Sequence, residues 1–306
     1  MRNIVFILLA GMLFFAGCIG GGTPEVPKLP NVTVQPPSVT VTPGEECTPA
    51  YSFSDVTAST LSQSMDMVAT VTCAAGKQIT ASVDGVAVAT KSASDNGTTP
   101  ITFTLVAKKD GTSKVTVSGD SQTLLSKDWK ISPLGSADTK GAEYDAVSFK
   151  EWRAMSIDVA NPINVGKVKL FIKRLESRTQ PGTYVIVDLR SDDGGKPGQI
   201  IASSKKSISD TTLSDNWIAF DFDSKPAIAA GKYWVVLRIE QSESVKIVSD
   251  TVTWHYVTNS KDQGSGNDYT RQMLLSVNEA TGFASESSWN KLAYYRVYAM
   301  TVHAAE

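Results

Sequence analysis

Apolar side chains recur at every second position along most of this chain: Met65, Met67, Ala69 and Val71, then Ile101, Phe103 and Leu105, then Val168, Leu170 and Ile172. A strand sends alternate side chains to opposite faces, so this spacing buries one face of a sheet and leaves the other wet. No stretch of helical length repeats apolar residues three and four apart, and only Gly141 to Arg153 has room for a helical turn or two. The fold class that follows is all-β. With 306 residues, there is material for more than one sandwich.

Two regions of strands are separated by a change in composition. From Ser38 to Ser121, Val39 and Val41, Ile79 and Ala81, Val86 and Val88, and Val115 and Val117 alternate with polar residues, punctuated by Asp84-Gly85 and Asp110-Gly111. Asp-Gly between alternating runs is a tight-turn signal, so these strands should form an antiparallel sandwich. This stretch, with a cysteine near each of two early strands, resembles an immunoglobulin-like domain, although it lacks the tryptophan and tyrosine-corner signals of antibody domains. It offers no pocket chemistry and reads as a spacer. Gln122 to Ser136, carrying Pro133 and Gly135, reads as a linker, and all six tryptophans lie at or beyond Trp129.

The second region runs from Ala137 to Glu306. Its strands carry Met155-x-Ile157-x-Val159, Val168-Lys-Leu-Phe-Ile, Tyr184-Val-Ile-Val-Asp, Trp217-Ile-Ala-Phe-Asp-Phe, Gly231-Lys-Tyr-Trp-Val-Val-Leu, Val252-Thr-Trp and Tyr294 to Val302. In combination with the Asp193-Gly-Gly-Lys-Pro-Gly turn, Ile201-Ala-Ser-Ser and the closing Trp289, these resemble the jelly-roll modules of surface-anchored proteins, sometimes called choice-of-anchor domains. Such modules are akin in fold to carbohydrate-binding modules. The resemblance implies a jelly-roll with a binding or architectural role and no catalysis. The full expectation is an immunoglobulin-like β-sandwich followed by a jelly-roll β-sandwich.

The N-terminus states where such a chain would work. Arg2 precedes an apolar run from Ile4 to Phe15, which ends in Ala16-Gly17-Cys18. That is a secretory signal layout over residues 1–17, shorter than the about 20 residues a spanning helix needs. Ala-Gly-Cys resembles the lipobox of secreted lipoproteins, and Cys18-Ile-Gly-Gly-Gly-Thr-Pro is similar to the openings of archaeal surface lipoproteins. The resemblance implies lipidation at Cys18, with the membrane as a partner and the extracellular face as the location. Cys18 to Pro37 carries Pro24, Pro27, Pro30, Pro36 and Pro37, an extended tether.

With Cys18 assigned to the anchor, Cys47 and Cys73 remain as a candidate disulfide, the alternative being two separate buried thiols. Asn31-Val-Thr and Asn96-Gly-Thr are acceptor patterns for N-glycosylation. A net charge of -2 gives no basic face and hence no electrostatic case for nucleic acid.

For ligand chemistry, flat aromatic rings stack on the apolar faces of sugars, while polar side chains meet their hydroxyls. Trp254, Tyr256, Tyr269 and Trp289, with Arg271 in the loop between them, are the candidate glycan-binding residues. Core packing is the competing role for each tryptophan, and more so for Trp217 and Trp234. Asp192 and Asp193 could offer hard oxygen ligands to a structural calcium, against the simpler reading of a solvated turn. No other cofactor is implied. The chain has two histidines: His255, expected to face solvent, and His303. Neither has metal-site spacing, and no Gly-x-Ser-x-Gly elbow occurs, so no catalysis is expected. The functional expectation is a lipid-anchored surface protein whose jelly-roll head binds a glycan or surface polymer. The alternative is a structural component of the cell envelope that contacts other proteins.

Overall fold

The computed structural model describes residues 47–120, 122–135, 143–149, 151–175, 181–241, 251–258, 272–276, 289–291 and 296–306. Over these residues the chain is all-β, with a single turn of 3-10 helix at Ile208–Asp210. The signal layout, Cys18, the tether, Asn31, Tyr269 and Arg271 lie outside the described residues.

The first sandwich holds β1 (Ala50–Phe53), β2 (Ser59–Thr60), β3 (Ser64–Thr72), β4 (Gln78–Val83), β5 (Val86–Ser92), β6 (Thr99–Val106), β7 (Gly111–Gly119) and β8 (Gln122–Ser132). One sheet has the order β1-β3-β6 and the other β2-β8-β7-β4-β5. β2 runs parallel to β8 while every other pair is antiparallel, an immunoglobulin-type arrangement. The alternation read from the sequence is the burial pattern: Met67, Ala69 and Val71 of β3 lie beside Ile101, Phe103 and Leu105 of β6 in one sheet, and pack in the core with Ile79, Ala81, Val115 and Val117 of the other. Asp84 and Gly85 form the β4–β5 turn, both with positive φ. Cys47 and Cys73 are joined by a disulfide whose Cα atoms lie 5.6 Å apart.

The linker expected at Gln122 to Ser136 is not a linker. Gln122–Ser132 is β8, paired with β7 along its length, and its Trp129 is fully buried, donating its indole N–H to Ser59 Oγ at 3.2 Å. The first sandwich therefore does contain a core tryptophan. Few of β8's side chains are buried, and that polar composition hid the strand.

The second sandwich begins one residue later. Its strands are β9 (Leu134–Gly135), β10 (Glu143–Val147), β11 (Glu151–Val159), β12 (Ile163–Arg174), β13 (Thr183–Asp192) and β14 (Pro197–Ser207). They continue through β15 (Asn216–Asp221), β16 (Ala227–Ile228), β17 (Gly231–Gln241) and β18 (Val252–Thr258). β19 (Gln272–Ser276), β20 (Asn290–Lys291), β21 (Arg296–Tyr298) and β22 (Met300–Ala304) complete it. The helical turn allowed at Gly141 to Arg153 is instead β10 and the start of β11. One sheet has the order β14-β13-β17-β11-β19-β20. The other has the order β10-β18-β12-β22-β9, with β15 and β16 on β12 and β21 on β18. Val185, Val187 and Leu189 of β13 and Val235, Leu237 and Ile239 of β17 meet Val168, Leu170, Trp254 and Val302 from the other sheet.

The two sandwiches are bonded to each other. Gly135 in β9 has φ +100°, and a Cβ there would lie 2.4 Å from Met300 O, so only glycine fits beside β22. Ser62, itself at positive φ, accepts Ala160 N–H on Oγ at 3.0 Å and Asn161 Nδ2–H on its carbonyl at 2.7 Å. At the β6–β7 turn, Asp110 accepts Ala304 N–H at 2.8 Å and lies 2.8 Å from His303 Nδ1. Residues Glu46–Glu306 form one unit.

Candidate functional site: the outer face of the six-stranded sheet

A strand with one buried face shows alternating burial. β13 and β17 do not. Positions 185 to 190 and 234 to 237 are buried in unbroken runs, so both faces of this sheet are covered at its centre. One face belongs to the sandwich core. On the other, Trp234 and Val236 of β17, Ala154 of β11 and Trp289 form a separate buried apolar cluster, with Trp152 packed against it.

Charged groups are set into that face beside the tryptophans. The strand register places Ser203, Asp188 and Val236 side by side, with Arg190, Trp234 and Ser156 in the next row. Asp188 is 0% exposed. Its Oδ2 accepts Arg190 Nη2–H at 2.9 Å and Arg238 Nε–H at 2.8 Å, and its Oδ1 accepts Ser203 O–H at 2.6 Å. Arg238 also donates Nη1–H to Glu240 at 3.2 Å. Burial pushes the Asp188 carboxyl up, but the hydrogen bond and charge of Arg238, with Ser203 and the charge of Arg190, together hold it below the usual carboxylate range. Burial likewise weighs against the Arg238 cation, and its bonds to Asp188 and Glu240 more than offset this.

Both guanidiniums lie over the Trp152 ring, Arg238 at 5.4 Å and Arg190 at 5.9 Å from its centroid. Trp152 is half-buried. Trp234 donates its indole N–H to Asp192 Oδ1 at 2.7 Å. Towards β14, Lys205 lies over the Tyr184 ring with Nζ 4.6 Å from the centroid. Asp188 and Arg238 are held by partners on neighbouring strands, and Arg190 is held by Asp188 of its own strand, so the face is preorganised.

Three polar atoms on this face are buried without a hydrogen-bond partner among the described residues: Trp152 Nε1, Trp289 Nε1 and Ser156 Oγ. Ser156 is 2% and Trp289 7% exposed. An unmet buried donor costs about 1–3 kcal/mol, so a group of three calls for an explanation. All three atoms are closed off by the chain itself.

The residues singled out from sequence are distributed differently from the expectation. Trp254 is fully buried between the sheets, stacked on Tyr298 at 4.4 Å with its indole N–H donated to Ala299 O at 3.1 Å. Tyr256 is buried edge-on against the same Tyr298. Both fill the core and offer no ring face to a ligand. Trp289 does lie on the outer face, with Trp234 rather than with Trp254. Trp217, expected inside, is half-buried against Phe171. His255, expected in solvent, is buried, with Nε2 2.9 Å from Asp215 Oδ1 and its ring edge-on to Phe171.

Asp192 and Asp193 are spent on their own turn. Asp192 Oδ2 accepts Gly195 N–H at 3.1 Å while Oδ1 holds Trp234, and Asp193 pairs with Lys196 at 3.3 Å. Among the described residues no group of three or more His, Cys, Asp or Glu side chains is arranged to hold a metal. Asn96 is exposed, and its Oδ1 accepts Ala75 N–H at 3.3 Å.

Sequence reasoning missed Trp152, Ser156, Asp188, Arg190 and Arg238. The signal was available: Asp188 and Arg190 interrupt an otherwise apolar run at the positions that a one-faced strand would turn to water, where Ile186 is also apolar. No protein-family model matches the chain, and no curated protein matches it.

Proposed function

We propose that this is a lipid-anchored protein of the extracellular membrane face whose jelly-roll head binds glycans, with the outer face of the six-stranded sheet as the binding surface. The single observation that supports this most is the half-buried Trp152 ring on that face, with the Arg190 and Arg238 guanidiniums fixed against it. Sugars are recognised by that combination: flat rings against C–H faces and directed donors to oxygens. The docked immunoglobulin-like sandwich would then hold the head rigidly, and the tether and Cys18 would fix the whole to the membrane.

The test is binding of the full chain, solubilised in detergent, to a broad glycan array. Selective binding that Trp152→Ala abolishes without unfolding the protein is the expected result. A blank array from folded protein would contradict the proposal. For the anchor, Cys18→Ser is expected to move the protein from the membrane to the soluble fraction.

One observation favours the structural alternative. β5 is the edge of its sheet, and Val86 and Val88 on it are 70% and 42% exposed. An apolar sheet edge of this kind suits contact with another envelope protein. Under that reading Val86→Lys would weaken retention in the envelope and leave glycan binding untouched.

A further inference from the structure

The eight-stranded sheet has an outer face of its own, and aromatic rings cross it in a line. Along β12 the core takes Val168, Leu170 and Ile172, so Lys167, Lys169, Phe171 and Lys173 point the other way. Phe171 lies beside Trp217 of β15, with ring centroids 5.4 Å apart, and 5.2 Å from His255 of β18. The His255 ring is in turn 5.6 Å from Tyr144 of β10. Buried His255 and half-buried Phe171 form the floor of this row. Tyr144, 47% exposed, and half-buried Trp217 stand at its two ends. The end rings add apolar surface to water on the side of the sheet away from the core, where packing does not call for them.

Lysines border the row on both sides, since Lys169 and Lys173 flank Phe171 along β12. Lys173 pairs with Asp215 at 3.2 Å and lies over the Tyr144 ring with Nζ 5.2 Å from the centroid, while Lys167 stands opposite Asp221 of β15. Lys169 stands between Ala219 and Thr301 and has no carboxylate within ion-pair distance among the described residues. The face thus carries one unmatched positive charge beside its rings. From end to end the row spans three strand spacings, about 14 Å, which is more than one sugar ring covers. Its ring pairs are inclined by 50°, 66° and 52°, so it is a ridged line and not a flat platform.

From the line of rings and the unmatched Lys169 ammonium we infer a second binding site on this face, for a single strand of an acidic polysaccharide. Sugar C–H faces pack on Tyr144 and Trp217, and the carboxylate of a uronic acid meets Lys169. The ridge follows one flexible strand and does not match the flat surface of a crystalline polymer. This site is separate from the face around Trp152 and does not rest on it. With both faces active, one head bridges two polymer strands.

The test titrates the full chain in detergent with an oligogalacturonate, a neutral glucan of equal length and free galacturonic acid. The oligogalacturonate is expected to bind tightest, and the free acid, too short to reach both ends, about tenfold weaker. Tyr144→Ala and Trp217→Ala should each weaken oligogalacturonate binding by roughly threefold to tenfold. Tyr144→Ala should leave the melting temperature unchanged, since that ring is nearly half exposed. Lys169→Gln should weaken binding by roughly twofold to fivefold, to the level of the glucan, and remove its salt dependence. Ile200→Ser, at an exposed position on β14 of the other sheet, should leave binding unchanged. A glucan that binds the wild-type chain as tightly as the oligogalacturonate would overturn the acidic ligand. Binding lost in Trp152→Ala and kept in Tyr144→Ala would put the polymer on the six-stranded sheet and overturn the second site. Binding lost in Tyr144→Ala and kept in Trp152→Ala would support it, whether or not the face around Trp152 takes a glycan. Folded protein that binds no oligogalacturonate would overturn the inference.

Discussion

The two sandwiches are built from similar strands and differ in how many of their faces are buried. In β3, β6 and β7 every second residue is buried, and the residues between them are mostly threonine, serine, lysine and aspartate in contact with water. In β11, β13 and β17 consecutive residues are buried, and the second face carries three tryptophans, two arginines and an aspartate. A strand buried on one face needs no more than a core to explain it. A strand buried on both faces, with charges matched on the outer one and indole donors left over, is not explained by the sandwich core alone.

The largest expected effect compares two aspartates. Asp188→Ala leaves Arg190 and Arg238 buried without their shared carboxylate, and should cost about 3–5 kcal/mol in thermal or denaturant unfolding. Asp66→Ala on β3 removes an exposed acceptor of Thr104 O–H and should leave stability unchanged within error. Equal effects would erase the distinction between the two kinds of strand. Next in size is the disulfide. Cys47→Ala with Cys73→Ala opens a loop with a sequence separation of 26 and should destabilise the chain by roughly 3 kcal/mol, while the outer face of the second sandwich stays intact once folded.

The smallest effect concerns the joint. Burial pushes the Asp110 carboxyl up, but hydrogen bonds from His303 and from Ala304 N–H outweigh it and hold it below the usual carboxylate range. A depressed folded value means that the stabilisation is complete above the unfolded pKa of about 3.9 and is lost as pH falls through the folded one. Asp110→Asn should therefore cost roughly 1–2 kcal/mol at neutral pH, with the difference from wild type shrinking below about pH 4. A deficit that stayed constant down to acid pH would mean that the charge of Asp110 does not hold the sandwiches together.

Much of the fold is legible in residue order, and the reasons for what is not are local. Period-two spacing located the core strands of both sandwiches because one face of each was buried. β8 escaped because only two of its residues, Trp129 and Ile131, are fully buried, which makes a strand look like a linker. The disulfide followed from counting cysteines. The site was misplaced because periodicity says which residues share a face but not what covers it. Trp254 and Trp234 look alike in sequence, yet Trp254 points between the sheets and Trp234 points away from them. His255 was misjudged for the same reason, since β18 is covered on both faces where Asp215 and Phe171 approach.

The account's central claim is that the outer face of the six-stranded sheet is where the ligand sits, and the indole N–H resonances test it directly. Six tryptophans give six such signals. Adding a glycan found to bind on the array should shift the signals of Trp152 and Trp289, which lie on that face. Trp129 and Trp254, already bonded to Ser59 and Ala299, should stay in place. Saturating binding that leaves Trp152 and Trp289 unmoved would put the ligand elsewhere and contradict the account.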